Sequence, residues 1–586
     1  MPRHRLVRTT ADTGRPIRAS WLAGLLVLLA ASCHRAERDA DTAVLDDFSR
    51  FAREAFVLRA GEHVESAETE MISPTTHVDR SRQLLWSAWT PGAKYTIVGE
   101  GTRRELIAPQ LPTPYRLRRV KLGDVAAAAA AGVTPDGVVK FAPDGRRLAL
   151  GTFDGALVVL DAYSGEVLFR HRASEGMVKS LAWSPDGRWL YAGEQSPDAY
   201  LLAIDTGAVR SATESAGQAS NAANRYAVAW RYRFADRIET SRPIAGDRYA
   251  IYTLPAVHDL HVSTDGRVFA AATHNWTRHG ELANRTVLAC FAPDGHTHWT
   301  LPRVAAWQFT VAHFDIDRAG RRMVCLPNRT QAAATSADVE SASESIAPGD
   351  FYLIDALGGE ILDRQRLEPF APHFSRVESW DSVALSDDGS RAAAGLVDGR
   401  VVLSSVADDR FVAVRTFELG APRLVGGLPV AAACSYTRFC GAMLVMQTQN
   451  THIPFGNPQA ANQAPSPHPG ANCLTVADFD GQEVWKYQGP FAISGAWSDA
   501  TGRWLMVACR ELPGADEPGQ YGFLVFDTLR AGGGADKLVY YYATTGPVIF
   551  NADLSADGRL AAVVEVPAPT SEGRDLYGEH QLHIVH

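Results

Sequence analysis

Histidine is the residue of this chain best suited to metal chemistry, because a neutral imidazole is a common metal ligand. His296 and His298 lie two residues apart, a spacing that puts both rings on one face of a strand. A zinc site needs at least three protein ligands, and no third ligand stands at a diagnostic spacing. We therefore predict no metal site. The neighbouring histidines are scattered: His171, His258, His261, His274, His279 and His313.

Motifs for covalent or phosphate chemistry are missing from the sequence. It contains no Gly-x-Ser-x-Gly, no phosphate-binding Gly-Lys-Ser/Thr loop and no His-Glu-x-x-His. Aspartates recur before glycines, where they could serve calcium binding or acid–base chemistry. A turn also needs Asp and Gly at that place, so we interpret them as structural and predict no catalytic residue.

A repeated phrase positions these aspartates. Residues 141–151 read FAPDGRRLALG, and residues 183–193 read WSPDGRWLYAG. Asp-Gly between apolar runs predicts a hairpin turn, because Gly accepts positive φ and Asp tolerates it. We count residues 431–445 as an eroded copy. The degenerate copies are Ser263–Gly266, Asp317–Gly320, Ser386–Gly389, Ser498–Gly502 and Ser555–Gly558.

A repeat of about 40 residues that holds four strands indicates a β-propeller. We predict an all-β fold: a single propeller over residues 133–586, with eight four-stranded blades, seven as the alternative, and a short N-terminal extension. The irregular stretch 225–256 could be an insertion or a further blade. The predicted units are 133–175, 176–215, 245–300, 308–368, 378–420, 427–487, 492–541 and 546–586.

The paired turns resemble those of bacterial WD-repeat propellers and of propellers with quinoprotein-type (PQQ-like) repeats. Asp294–Trp299 and Asp480–Trp485 are similar to the Asp-Gly-x-x-x-Trp segment whose indole docks one blade on the next in the quinoprotein family. The resemblance implies a fold and says little about activity. Quinone enzymes with this repeat place two neighbouring cysteines over the cofactor. This chain has no such pair, so we predict no cofactor.

The N-terminus predicts export. Arginines precede the apolar run Trp21–Ala31, which suits a signal peptide and is too short to span a bilayer. Leu29–Cys33 resembles the bacterial lipobox, whose cysteine is lipidated and becomes the mature N-terminus. The alternative is an ordinary secretory signal cleaved nearby. We predict a signal peptide over residues 1–32 and lipidation of Cys33. Because His34 rather than Asp follows, the resemblance implies an outer-membrane lipoprotein facing the periplasm or the cell surface.

Two segments separate the signal peptide from the propeller. Residues 33–83 are predicted to be a linker with a short amphipathic helix, since apolar residues recur at helical spacing within Val44–Val57. This helix could be a tether or could pack on the propeller. Residues 84–132 are predicted to close or cap the ring, with Leu84–Trp89 and Tyr95–Val98 forming a hairpin.

Cysteines suggest a covalent link inside the eroded copy. An exported chain can oxidise cysteines in pairs. Aligning the copy on Trp183–Trp189 places Cys434 and Cys440 opposite each other across the first hairpin of a blade, so we predict a disulfide between them. The alternative is buried free thiols that behave as small apolar residues.

Two insertions interrupt the repeat, at residues 329–349 and 448–470, and both are low in apolar residues. Because of this composition, we predict that both are surface loops. Long loops on the rim of a rigid scaffold commonly carry binding. The net charge of −9 argues against nucleic acid as a partner.

Together these features predict an exported, lipid-anchored interaction or scaffold module of the cell envelope. It would bind a protein or envelope component through its rim loops and would not be an enzyme. The alternative is a quinoprotein-like oxidoreductase or a hydrolase with its site at the propeller channel. A convergent set of charged groups with shifted pKa values at the channel would favour that alternative.

Overall fold

The computed structural model of the protein describes five strands among the first 121 residues and most of the chain after residue 136. The predicted signal peptide, residues 1–32, and Cys33 lie outside the described residues. The described residues are 54–59, 67–72, 96–98, 105–107, 115–121 and 137–585 without 153–154, 164–166, 173–176, 208–225, 239–253, 275–284, 304–306, 308, 330–347, 371–376, 378, 380–381, 426–427, 453–467, 490–491, 511–520, 545–547, 566–567, 570–575 and 578–580.

Consecutive strands pair antiparallel into four-stranded sheets, the blades, numbered here in chain order. Five strands precede them: β1 (Glu54–Arg59), β2 (Ala67–Ile72), β3 (Thr96–Val98), β4 (Glu105–Ile107) and β5 (Tyr115–Lys121). Blade 1 contains β6 (Gly137–Phe141), β7 (Arg147–Thr152), β8 (Ala156–Asp161) and β9 (Val167–Arg172). Blade 2 contains β10 (Met177–Trp183), β11 (Trp189–Gln195), β12 (Tyr200–Asp205) and β13 (Ala227–Arg233), followed by a 3-10 turn at Phe234–Asp236.

Blades 3 to 5 repeat the same order. Blade 3 contains β14 (Ala256–Val262), β15 (Val268–Thr273), β16 (Thr286–Phe291) and β17 (Thr297–Leu301). Blade 4 contains β19 (Phe314–Ile316), β20 (Arg322–Cys325), β22 (Asp350–Asp355) and β23 (Ile361–Arg366), and β18 (Phe309–Thr310) pairs separately with β21 (Asn328–Arg329). Blade 5 contains β24 (Val383–Leu385), β25 (Arg391–Gly395), β26 (Arg400–Ala407) and β27 (Arg410–Glu418).

Blades 6 to 8 complete the described chain. Blade 6 contains β28 (Arg423–Val425), β29 (Leu428–Cys440), β30 (Met443–His452), β31 (Cys473–Asp478) and β32 (Glu483–Gln488). Blade 7 contains β33 (Ala492–Ser498), β34 (Trp504–Arg510), β35 (Tyr521–Asp527) and β36 (Leu538–Thr544), the last preceded by the one-turn helix α1 (Gly534–Lys537). Blade 8 contains β37 (Val548–Leu554), β38 (Ala561–Glu565) and β41 (Gln581–Val585), and β39 (Ala568–Pro569) pairs with β40 (Leu576–Tyr577).

Apolar clusters between neighbouring blades close the ring. Among the described residues there are eight such clusters, each formed by buried side chains from two consecutive blades. The cluster that contains Val139 and Leu148 of blade 1 also contains Leu560 and Ile584 of blade 8, so the last blade packs on the first. The protein is therefore an all-β, eight-bladed propeller, and the predicted fold class is confirmed.

An N-terminal strand completes blade 8. Strand β1 pairs antiparallel with β41 and parallel with β5, and β2 lies outside β5. Strand β1 occupies the end of the predicted amphipathic helix, so Phe56 and Val57 lie in a strand, because ladder pairing with β41 replaces helical hydrogen bonds. Strand β3, which holds most of the predicted hairpin strand Tyr95–Val98, pairs with β4. The other predicted hairpin strand, Leu84–Trp89, lies outside the described residues.

A glycine with positive φ lies between the first two strands of every blade except blade 6, where it lies between β29 and β30. In blade 6 this glycine is Gly441, with φ 58°, and not a residue between Cys434 and Cys440. The eight glycines are Gly145, Gly187, Gly266, Gly320, Gly389, Gly441, Gly502 and Gly558.

This turn corrects the predicted disulfide. Cys434 and Cys440 both lie on β29, where Cys434 is opposite Thr448 and Cys440 is opposite Met443. Six residues of one strand span about 20 Å at about 3.3 Å per residue, far beyond disulfide reach. Both cysteines are buried free thiols, so the pairing and the alignment behind it are wrong.

Two other stretches differ from the prediction. The irregular stretch 225–256 supplies β13, the outer strand of blade 2, and its described residues form no further blade. The second insertion is shorter than predicted, because residues 448–452 continue β30, and Thr448 is buried and hydrogen-bonded to Gly470. The remaining core of each insertion, 330–347 and 453–467, lies outside the described residues.

Candidate functional site

The first strands of the eight blades line the central channel of the ring, as in other propellers. Each of these strands contacts its neighbours, and β37 of blade 8 contacts β6 of blade 1. Charged residues on these strands include Lys140 of blade 1 and Asp553 of blade 8, which form an ion pair at 3.0 Å. Blades 3 and 4 differ, because β14 and the start of β19 bring imidazole and carboxylate groups together on the channel wall.

Asp259 is the centre of this group. Its Oδ2 lies 3.2 Å from His261 Nε2 and 3.3 Å from His313 Nδ1, and it accepts a hydrogen bond from Phe314 N at 3.2 Å. Burial alone would raise the pKa of Asp259, but the two histidines hold it well below its usual range. Asp259 is therefore a carboxylate at neutral pH, and it links blade 3 to blade 4.

His261 lies between two carboxylates. Its Nδ1 is 3.5 Å from Asp315 Oδ1, on the side opposite Asp259. Burial opposes protonation, but the charges of Asp259 and Asp315 prevail and raise the pKa of His261. Burial raises the pKa of Asp315, although this carboxyl also accepts a hydrogen bond from Leu385 N of blade 5. The same residues thus bind the blades together and create a titratable network.

Blade 6 adds a phenol and a guanidinium to the channel wall. Tyr436 donates its hydroxyl to Ala496 O of blade 7, and burial raises the pKa of this phenol to about 12. Arg438 is electrostatically coupled to Tyr436 and Asp315, which raise its pKa. Arg438 is exposed to solvent and is a cation at every accessible pH.

Bulges place two further side chains beside this network. The ladder between β10 and β11 shifts register at Lys179, and the ladder between β14 and β15 shifts at His258. Bulges commonly re-aim side chains next to functional sites. Burial is the main cause that lowers the pKa of His258 well below its usual value, and the charges of Lys179 and His313 lower it further. This imidazole is therefore neutral at pH 7.

The network is accessible to water although protein surrounds it. The side chains are 19% exposed for Asp259, 28% for His261, 22% for Asp315 and 38% for His313. Partial exposure at the channel wall means that a small molecule in the channel could reach these groups. The arrangement could hold a polar ligand and exchange protons with it.

The sequence reasoning missed most of this site. It treated His258, His261 and His313 as scattered, and it did not single out Asp259 or Asp315. One signal was present: five residues before the turn glycine, the repeat copies of blades 2 and 5 have alanine, whereas blades 3 and 4 have His261 and Asp315. Because the copies in blades 2 and 5 form the same turn with alanine at this position, the turn does not require a polar residue there.

The predicted blade-docking tryptophans lie where the resemblance implied. Trp299 of blade 3 is buried and donates its Nε1–H to Ala356 O of blade 4 at 3.0 Å. Trp485 of blade 6 is buried with its ring 5.7 Å from that of Phe526 in blade 7. Both indoles serve the contact between blades rather than a ligand.

The other singled-out residues do not join the channel network. The rings of His296 and His298 are 5.9 Å apart at the exposed outer side of blade 3. Among the described residues, no group of three or more His, Cys, Asp or Glu side chains is arranged to hold a metal ion. Within the same part of the chain, no helix has the length and apolar character needed to cross a membrane.

Comparison with known families supports the repeat assignment. The family model for the WD domain, G-beta repeat, matches residues 165–201, from the outer strand of blade 1 into β12 of blade 2. The chain carries a WD40 repeat. This match covers one repeat of the propeller and leaves the remaining blades to the structural description.

Similar proteins include one curated relative and many solved structures. The dihydro-heme d1 dehydrogenase of Pseudomonas aeruginosa is 29% identical over 158 residues, which is 24% of this chain and 31% of that enzyme. The chain thus matches about a third of that relative's length.

Two solved structures are similar over most of this chain. The β-propeller domain of Myceliophteria thermophila Cps50 (Swd1) covers 77% of this chain and 96% of its own, at 13% identity and a TM-score of 0.38. Chaetomium thermophilum Sqt1, solved with the N-terminus of ribosomal protein L10, covers 78% and 97%, at 12% identity and a TM-score of 0.46.

Proposed function

We propose that this protein is an exported, lipid-anchored propeller that binds a protein or another component of the cell envelope. The observation that carries the proposal is that the recurring polar residues of the repeat have structural roles. The recurring aspartates, serines and tryptophans serve turns and blade contacts, as Ser184 and Asp186 do when Ser184 donates to the Asp186 carboxylate. Segments outside the repeat, 330–347 and 453–467, remain for recognition.

The proposed location in the cell envelope rests on the N-terminal sequence. A hydrophobic run followed by Leu29–Cys33 supports lipidation of Cys33, and lipid chains anchor a protein without a transmembrane helix at about 0.8 kcal/mol per buried CH₂ group. We expect Cys33→Ala to leave the precursor uncut or to release the protein from the outer-membrane fraction, as seen by fractionation and by labelling with a fatty-acid analogue. Unchanged labelling in the variant would refute the anchor.

Partner binding is tested by removing the loop cores alone. Because residues 448–452 belong to β30, the deletion should span 453–467 only, replaced by a short Gly-Ser linker. We expect an unchanged melting temperature and loss of the envelope component that the native protein captures by photo-crosslinking in its own host. Removal of 330–347 in the same way tests the other proposed binding segment. Capture that survives both deletions would rule out rim binding.

A second candidate function is a ligand or substrate site in the channel. The specific observation that favours it is the network around Asp259, His261, His313 and Asp315, with pKa shifts of both signs. The partial similarity to a dehydrogenase also supports an enzyme of this kind. A quinoprotein-like oxidoreductase or a hydrolase would use the network to bind substrate and move protons. Turnover that His261→Gln abolishes, with the fold intact, would establish this second function.

A further inference from the structure

Three consecutive blades each place a basic residue on or next to the innermost strand: Lys179, His258 and His313. Lys179 and His258 occupy the bulges of β10 and β14, two strands in contact with each other. His313 precedes β19, and its ring centroid is 6.4 Å from that of His258. All three side chains are partly exposed.

The neighbouring carboxylate is already engaged. Asp259 accepts hydrogen bonds from Leu260 N and Phe314 N and contacts both His261 and His313. A carboxylate with this many donors is well stabilised. Asp259 therefore orients His313 through Nδ1, beside the basic groups of Lys179 and His258.

The pKa of His258 reflects burial first and the charged groups around it second. The groups that act on it are Lys179 from β10, His313 from blade 4 and Asp259 on its own strand. Burial, followed by the two basic neighbours, depresses the pKa of His258 despite the carboxylate. An anion held between these groups would reverse the effect, because a nearby negative charge favours the imidazolium.

We propose that Lys179, His258 and His313 form a binding site for a small oxygen-rich anion in the channel, either the phosphate group or the carboxylate group of a ligand. An ammonium and two imidazoles supply donors from three directions, and hydrogen bonds from charged donors to oxyanions are short and strong. The chain carries a net charge of −9, so a local basic site also selects anions that the rest of the surface repels. This inference rests on the second candidate function and names the chemistry of its ligand.

Isothermal titration of the purified protein tests the site with two probes. Sulfate, whose charge is constant over the tested pH range, represents a phosphate group, and acetate represents a carboxylate group. The probe that binds more tightly identifies which of these two groups the ligand carries. We expect saturable binding, with Lys179→Met, His258→Gln and His313→Gln each weakening it about tenfold, as expected for the loss of one charge-assisted hydrogen bond. Affinity should rise from about pH 8 to about pH 6, because His258 gains a proton on binding.

Proton uptake provides a readout that a structural role would not change. Titrations in two buffers of different ionisation enthalpy should show uptake near pH 7 in the native protein and much less in His258→Gln. The control is Lys140→Met, also on a channel strand, whose ammonium is paired with Asp553 Oδ1 at 3.0 Å. It should leave the affinity within about twofold.

Three outcomes would overturn the inference: no saturable binding of either probe up to about 10 mM, equal weakening by Lys140→Met, or unchanged proton uptake in His258→Gln. Thermal denaturation of each variant identifies any that fail to fold, and the two histidine variants remain informative if Lys179→Met does. Turnover of a substrate without anion binding would leave the second candidate function standing and remove only the anion site.

Discussion

At the residue scale, the recurring Asp-Gly turns are determined by local chemistry. Gly145 and Gly320 have nearly equal positive φ values, 65° and 64°. Their surroundings differ, because a Cβ at Gly145 would lie 3.6 Å from the nearest atom, Asp557 Oδ1, whereas a Cβ at Gly320 would lie 2.5 Å from Ser263 Cβ. The two positions therefore separate the cost of the backbone conformation from the cost of packing.

We expect Gly145→Ala to lower the free energy of unfolding by about 1–2 kcal/mol, the cost of left-handed backbone for an L-residue. Gly320→Ala should lose a further 1–3 kcal/mol or so, because the methyl group is forced into Ser263. Urea denaturation of both variants measures the difference. Equal destabilisation of the two variants would show that packing around Gly320 relaxes freely.

Residues of the channel network show what residue-level reasoning could and could not reach. The sequence contains His258, Asp259 and His261 within four positions, but nothing local says which of them meets His313, 55 residues later. The contacts of Asp259 with His313 and Phe314 depend on the placement of blade 4 beside blade 3. A tertiary contact of this kind has no signature in spacing alone.

At the element scale, closure of the ring depends on a strand far from blade 8 in the sequence. Strand β1 supplies the fourth strand of blade 8, and its register with β41 runs from Ala55 opposite Val585 to Arg59 opposite Gln581. An amphipathic helix was predicted there because the apolar spacing suits one. The ladder offered by β41 outweighs that local preference, since an unpaired strand edge leaves backbone groups without partners.

Replacing Glu54–Arg59 by a Gly-Ser segment of equal length should therefore lower the melting temperature and the hydrogen-exchange protection of β41 amides. The matched control replaces Thr96–Val98, which among the described strands pairs with β4 and not with a blade. We expect little change in the control. Equal protection of Gln581–Val585 in both replacements, measured by mass spectrometry, would contradict closure through β1.

Blade 6 shows why element boundaries were harder to predict than element existence. The eroded copy was recognised, and it does form a blade. Its turn was placed between Cys434 and Cys440, whereas the chain turns at Gly441 and β29 runs on through both cysteines. Without the Asp-Gly phrase, only the pairing of β29 with β30 defines the register, and pairing is a property of two strands together.

At the scale of the whole molecule, the ring converts eight marginal sheets into one structure. Each blade buries both faces against its neighbours, so the eight inter-blade clusters together form the core. A rigid ring of this kind gives two distinct places for function: the segments outside the repeat and the channel. The rim deletions and the channel variants proposed above test these two places independently.

The sequence by itself determined the all-β class, the blade unit and its turns, because Gly conformation and strand alternation act over a few residues and repeat along the chain. The tertiary structure alone decided that β1 completes blade 8, that Cys434 and Cys440 lie on one strand, and that Asp259 of blade 3 contacts His313 of blade 4 at the channel. These outcomes depend on how blades pack around a common axis, and that packing brings together residues whose distance along the chain carries no information about their distance in space.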